Sequence, residues 1–184
     1  MTELSYAKAA RTLDELRAIG VSHGRLHGWV ADEGARIEAD VAARTEALLG
    51  AHPERTSSGA MPGDVWVSAD GTMVNDRASG THMEVQLGLV FSGSERVGKE
   101  RRRLLDRHYV GATGSWTTFA ERLTAACAEL GVYEARRILF VSDGALPIRW
   151  IRERAFPTAV ELLDWYHLAE QLRFGVGRAH GDVL

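Results

Sequence analysis

The order of β-rich and helical segments after residue 63 is the feature that most constrains the fold of this chain. Three runs, at 65–70, 83–91 and 107–113, are rich in β-branched, aromatic and other apolar residues and are separated by glycine-bearing segments. Such runs predict a three-stranded antiparallel meander. Helix and strand signals alternate after them, giving the order β-β-β-α-β-α-β-α. This order predicts an α/β fold in which a mixed sheet carries helices on its faces.

The alternating part begins with the clearest helix signal in the chain. A helix is predicted from Ser115, its N-cap, to a stop at Gly131. The apolar runs at 136–144 and 159–164 predict strands that are buried in the sheet. Pro147 suits the first turn of a helix between these strands. A further helix is predicted directly after the second of them.

Residues 5–49 carry apolar or small side chains at helical spacing. Gly20 ends one predicted helix, and Ser22 is a candidate N-cap for the next. A helix, a tight turn and a second helix form the layout of helix-turn-helix DNA readers, which place the second helix in the major groove. Four residues would then contact DNA: Ser22, His23, Arg25 and His27. An ordinary antiparallel helix pair has the same pattern, so this alternative stays open.

Composition narrows the class of protein. The 184 residues carry a net charge of −3, and Cys127 is the single cysteine, which excludes a disulfide framework and a multi-cysteine zinc site. The chain contains no apolar run long enough to span a membrane and opens without a signal peptide, so a cytoplasmic protein without membrane contact is predicted. A Gly-, Pro- and Ser-rich linker at 51–63 separates a helical segment, 1–50, from a domain at 64–184.

Three aspartates come directly after apolar, strand-like runs: Asp70, Asp143 and Asp164. Because the carboxyl ends of strands form the ligand-binding edge of open α/β sheets, these carboxylates are expected to converge. Oxygen ligands suit Mg²⁺ or Mn²⁺, and a pair of such ions supports phosphodiester chemistry. The alternative is that the Asp-Gly pairs at 70–71 and 143–144 only form turns.

Two further features concern charge. Residues 95–107 hold six basic and three acidic side chains, and Arg101, Arg102 and Arg103 are candidates for contact with a phosphate backbone, or else a solvated surface. The nearby Gly-x4-Gly-Lys spacing is not a phosphate loop, because Glu100 replaces the Ser or Thr that such a loop needs. His167 follows Asp164 by three residues and can orient a carboxylate or a scissile phosphate.

The motifs VSHGRLHGWVADEG, VSADGTMV, LGLVF, VSDGALPIRW and FPTAVELLDWYHLAEQL together resemble bacterial insertion-sequence transposases of the Kra group. These are DDE enzymes with an RNase H-like catalytic domain. The resemblance implies that Asp70 and Asp143 are catalytic carboxylates that bind Mg²⁺ or Mn²⁺. It also implies that Asp164 and His167 line the catalytic site, and that the partner is double-stranded DNA at transposon ends.

The chain departs from that family in its third carboxylate, which is normally a Glu on a later helix. Glu170 and Asp182 are the acidic residues after Asp164, and neither matches that position well. We therefore expect a catalytic domain truncated at its C-terminus, with little or no DNA cleavage or strand-transfer activity. One alternative is a non-catalytic remnant that occupies transposon ends, as a homodimer or in co-assembly with an intact transposase. Another is a small RNase H-like nuclease that uses all three aspartates.

Overall fold

The computed structural model describes residues 5–17, 19–50, 61, 63–76, 80–165 and 167–169. The chain divides into two compact units, residues 1–46 and 47–184. Within the described residues, no helix combines the length and the apolarity that a membrane crossing needs.

The first unit contains α1 (Tyr6–Arg17) and most of α2 (His23–Gly50). The Ser22 hydroxyl accepts a hydrogen bond from the Arg25 N–H at 3.2 Å, which is the N-cap predicted for the second helix. The rings of Tyr6 and His27 pack edge to face, with their centroids 5.0 Å apart. Helix α2 continues through its internal glycines and buries none of its residues. The predicted layout of helix, turn and helix is therefore present, with little apolar core within it.

The second unit contains a five-stranded sheet in the order β5-β2-β1-β6-β7 and a separate two-stranded hairpin, β3–β4. Strand β1 pairs antiparallel with β2, and β2 with β5, whereas the β1–β6 and β6–β7 pairs are parallel. The predicted meander and the mixed α/β sheet are thus confirmed. The strands are β1 (Asp64–Asp76), β2 (Thr81–Phe91), β3 (Gly93–Arg96), β4 (Arg102–Leu105), β5 (His108–Thr113), β6 (Arg137–Ser142) and β7 (Val160–Leu163).

Two helices connect the parallel strands, α3 (Trp116–Glu129) and α4 (Leu146–Ala155). The Ser115 hydroxyl accepts the Thr118 N–H at 3.0 Å, and Gly131 follows the helix with a positive φ of 69°, so both predicted ends of α3 are confirmed. Pro147 lies in the first turn of α4, as predicted.

The apolar core lies between one face of the sheet and these two helices. Phe119 and Leu123 of α3 and Ile151 of α4 are fully buried against alternate residues of the central strands. The intervening sheet residues form what we call the second face, and many are open to solvent: Leu87 is 49% exposed and Tyr109 is 69% exposed. The second face comprises Trp66, Ser68, Leu87, Leu89, Tyr109, Val141, Val160 and Leu162.

Three expectations need correction. Asp70 was expected to follow a strand, but it lies inside β1. The pairing of β1 with β6 ends at Ser68, whereas its pairing with β2 continues beyond Asp70. The Asp-Gly pair at 70–71 is therefore strand and not a turn. Strand β7 is an edge strand and is largely exposed, since nothing among the described residues pairs with its outer side. The charged stretch after β2, which was not predicted to be a strand, forms the β3–β4 hairpin.

The predicted linker at 51–63 falls mainly on residues 51–60 and 62, outside the described residues. Met61, at its C-terminal end, is 9% exposed and packs in the core of the second unit. The division of the chain at this linker stays a prediction.

Candidate functional site

Three carboxylates continue one row across the sheet. Ser68 of β1 is in register with Val141 of β6, which is in register with Leu162 of β7. Two residues beyond each member of this row stands an aspartate: Asp70, Asp143 and Asp164. Because residues two apart along a strand share a face, the strand register brings these side chains together. We call them the carboxylate row.

Backbone amides hold two of these carboxylates in place. Asp70 Oδ1 accepts the N–H of Gly71 at 2.8 Å, and Asp143 Oδ1 accepts the N–H of Ala145 at 2.8 Å. In each case one oxygen is fixed by a bond to a nearby backbone N–H, and the second oxygen has no hydrogen-bond partner within the described part of the chain. A fixed carboxylate loses little conformational freedom when it binds a cation.

His167 bonds to the third member of the row. Its Nδ1 lies 2.9 Å from Asp164 Oδ2, one helical turn along the segment that follows β7. The Asp164 main chain is also tied to the sheet, because its N–H donates to the Ser142 carbonyl at 2.7 Å. The sequence prediction that Asp164 and His167 act together is consistent with this geometry.

A small pocket joins all four side chains. Its volume is about 70 Å³, well above the minimum that holds one water molecule. It can hold a cation with a few waters, whereas a nucleotide would have to lie at its rim. The lining residues are Ser68, Ala69, Asp70, Val141, Ser142, Asp143, Asp164 and His167.

Electrostatics agrees with this convergence. The hydrogen bond to Asp164 is the main cause that raises the pKa of His167 above its ordinary value, and the charges of Asp164, Asp143 and Asp70 add to it, while partial burial opposes it. The imidazole therefore senses every member of the carboxylate row. Folding raises this pKa, so the protonated ring contributes stability below about pH 6.5, and that contribution is lost as the pH rises through the folded-state pKa.

The Asp164 contact gives a direct prediction for the histidine. We expect Asp164→Asn to lower the pKa of His167 towards its unperturbed value, because it removes the largest cause of the shift. An NMR titration that follows the His167 Cε1–H resonance measures this. Asp32→Asn, in the other unit, is the control and should leave the His167 titration unchanged; equal titrations in all three proteins would contradict the contact.

The donor set of the row fits a hard divalent cation. Carboxylate oxygens are the ligands that Mg²⁺ and Mn²⁺ prefer, and Ser142 also lines this pocket. Among the described residues, however, no three His, Cys, Asp or Glu side chains are grouped closely enough to form a complete protein metal site. Mg²⁺ usually keeps several waters and is held by one or two carboxylates, so Asp70 and Asp143 are the residues that could hold it.

Sequence reasoning missed a wider groove beside this pocket. Asp143 and Gly144 border it, and Arg149 of α4 and Glu161 of β7 form part of its wall. Arg149 is paired with Glu153, its Nε lying 3.2 Å from a carboxylate oxygen. The available signal was the position of Arg149 in the first helical turns after a strand-terminal aspartate.

None of the predicted DNA contacts is among the lining residues of the pocket at the carboxylate row. Arg101, Arg102 and Arg103 belong to the loop and strand of the β3–β4 hairpin and are exposed. Ser22, His23, Arg25 and His27 lie before and along the first turns of α2; Arg25 stacks over the Trp29 ring at 5.8 Å. The two acidic residues weighed as a third catalytic carboxylate, Glu170 and Asp182, fall outside the described residues.

Comparisons of the chain with protein-family models and with curated proteins give no match. The geometry of the pocket and the sequence motifs are therefore the grounds for a functional assignment.

Proposed function

We propose that this chain is part of a DDE-type transposase of the Kra group, and that its carboxylate row binds Mg²⁺ or Mn²⁺ for phosphodiester chemistry on DNA. The observation that carries the proposal is the register of β1, β6 and β7, which brings Asp70, Asp143 and Asp164 to one pocket. A purely structural role explains this arrangement less well, because carboxylates that line one pocket favour a bound cation.

The sheet supports an RNase H-like assignment. Three antiparallel strands are followed by two parallel strands, and the order β5-β2-β1-β6-β7 places β1 at the centre. Asp70 lies on this central strand and Asp143 follows its parallel neighbour. These are the two positions that the resemblance assigns to the first catalytic carboxylates.

The roles of the residues follow from their contacts. Asp70 and Asp143 would hold the cation through the carboxylate oxygens that do not accept the N–H groups of Gly71 and Ala145. When bound, divalent metal supplies charge stabilisation and an activated nucleophile for attack on a phosphodiester. Asp164 orients His167 and raises its pKa, which favours the protonated ring beside the carboxylates. In its protonated form the ring would attract a phosphate to the rim of the pocket.

Recognition of transposon ends would belong to the first unit in this proposal. Ser22, His23, Arg25 and His27 lie at the start of α2, where helix-turn-helix proteins contact base edges. The protein would act in the cytoplasm, where bacterial DNA lies.

A second candidate is a non-catalytic protein that binds transposon ends and competes with an intact transposase. The observation in its favour is that the described residues offer no group of three metal-ligating side chains of the required closeness. It predicts DNA binding that survives Asp70→Asn and does not depend on a divalent cation.

Calorimetric titration with Mn²⁺ tests the proposed site. We expect binding heat in the wild type and its loss in the double variant Asp70→Asn, Asp143→Asn, because the two carboxylates supply the protein ligands. The matched control, Asp32→Asn with Glu121→Gln, removes two exposed carboxylates elsewhere and should bind like the wild type. Absence of heat in the wild type, or equal heat in the double variant, would reject the metal site. Binding of transposon-end DNA that survives Asp70→Asn and does not change with a divalent cation would favour the second candidate over the first.

A further inference from the structure

The β3–β4 hairpin and the carboxylate row lie at opposite edges of the sheet, where an edge here means the line along which the strands begin or end. Strand β2 runs antiparallel to β1 and ends where Phe91 pairs with Trp66, near the start of β1. The hairpin follows at this edge, where β3 also contacts β1. Asp70 is four residues further along β1 than Trp66, and a strand advances about 3.3 Å per residue, so the hairpin base is more than about 13 Å from the row.

The two edges carry opposite charge. Residues 95–107 have a net charge of +3, and their six basic side chains are all exposed. Arg136 and Arg137 lie at the same edge, paired with Asp64 at the start of β1. The carboxylate row lies at the other edge. A phosphate backbone approaching without a cation is therefore attracted to the hairpin edge and repelled from the row.

The register of the hairpin places like charges together. Arg96 and Arg102 are direct cross-strand partners, an arrangement that destabilises an isolated hairpin. Both guanidinium groups are held locally: Arg96 Nε donates to the Gly98 carbonyl at 3.0 Å, and Arg102 Nε donates to the Ser94 hydroxyl at 3.0 Å. Neither is neutralised by an acidic partner within the described residues, whereas Arg103 pairs with Glu95. An anion that bridges Arg96 and Arg102 removes the cost of their repulsion.

We infer that the β3–β4 hairpin is a second nucleic-acid-binding surface. It binds the phosphate backbone of duplex DNA at a distance from the carboxylate row. Two-stranded ribbons fit the major groove of B-form DNA, about 12 Å wide, whereas the A-form major groove is too narrow for side chains to read. Val97 lies near the tip of the hairpin and is 54% exposed, so it offers an apolar surface to the bound DNA. The choice of DNA over other polyanions rests on the proposed function; the anion-binding surface itself does not.

Binding of a short fluorescent duplex of random sequence, measured by anisotropy in EDTA over a range of salt, tests this inference. The variant Arg101→Gln, Arg102→Gln should bind about tenfold more weakly near 0.1 M salt, and its log–log salt slope should be about 1.8 smaller. The control Arg36→Gln, Arg154→Gln removes the same charge elsewhere and should change affinity less than about twofold. Because all four side chains are exposed, both variants should fold, as circular dichroism would verify.

The outcomes separate the inference from the proposed function. Equal losses in the two double variants, or an unchanged salt slope, would overturn the hairpin as a specific surface. Tighter hairpin-dependent binding of duplex RNA than of duplex DNA would also overturn it. The variant Asp70→Asn, Asp143→Asn should keep the hairpin-dependent binding in EDTA even if the Mn²⁺ site fails its own test.

Discussion

Replacing Phe140 by alanine should lower the free energy of unfolding by about 3–5 kcal/mol, the range for deleting a buried aromatic side chain. Phe140 is fully buried in β6 and contacts Phe156, with ring centroids 5.4 Å apart. The substitution leaves a cavity in the middle of the core, which the surrounding strands and α4 can close only in part. Urea denaturation followed by circular dichroism measures the loss.

The control for this change is Leu146→Ala. Leu146 is 80% exposed at the start of α4, so its truncation should alter stability by less than about 0.5 kcal/mol. Phe140 also lies three residues before Asp143, and a loosened β6 should weaken Mn²⁺ binding even where the protein is still folded. Equal denaturation midpoints for the two variants would show that Phe140 does not pack as described.

Gly88→Val should lower the free energy of unfolding by about 1–3 kcal/mol, the usual cost of overpacking a core. A Cβ at Gly88 would lie 3.1 Å from Leu123 Cδ1 and 3.3 Å from Phe119 Cζ, and both of these α3 side chains are fully buried. Valine adds two more methyl groups at that point and forces α3 away from the sheet. Thermal and urea unfolding, with near-ultraviolet dichroism for the aromatic packing, measure the effect.

Gly111→Val is the matched control, because Gly111 lies in β5 on the opposite face of the sheet. A Cβ there meets no atom nearer than the Gln86 carbonyl oxygen at 3.9 Å, an ordinary contact. Since β-branched residues favour strands and glycine weakens them, this variant should be neutral or slightly more stable. A Gly111→Val protein that is less stable than the Gly88→Val protein would contradict the close packing of α3 against Gly88.

Local chemistry made much of the second unit predictable from the sequence. Ser115 and Gly131 mark the ends of α3 through a side-chain bond and a positive φ, signals that need no tertiary information. The continuous apolar run around Phe140 likewise identified a central strand. Strand β7 was wrongly predicted to be buried, because an apolar sequence does not reveal whether a strand has one neighbour or two.

The candidate site was likewise predictable from the sequence only in part. The residue types and their position after apolar runs pointed to Asp70, Asp143 and Asp164, but the register that aligns them depends on long-range pairing. The Asp-Gly pair at 70 could have been a turn; it is a strand because β2 continues to pair with it. The edge on which the basic hairpin lies could not be deduced until the direction of β2 was known.

The second face of the sheet has a consequence for cation affinity. Asp70 follows Trp66 and Ser68 on this face, so the water that wets Leu87 and Leu162 also surrounds the carboxylates. Any apolar surface laid over these residues removes that water and lowers the local dielectric, which strengthens the attraction between a divalent cation and its ligands. By thermodynamic linkage the cation must strengthen the covering contact by the same factor. The cation affinity of the proposed site would thus be a property of the whole sheet surface, set by how dry that surface is.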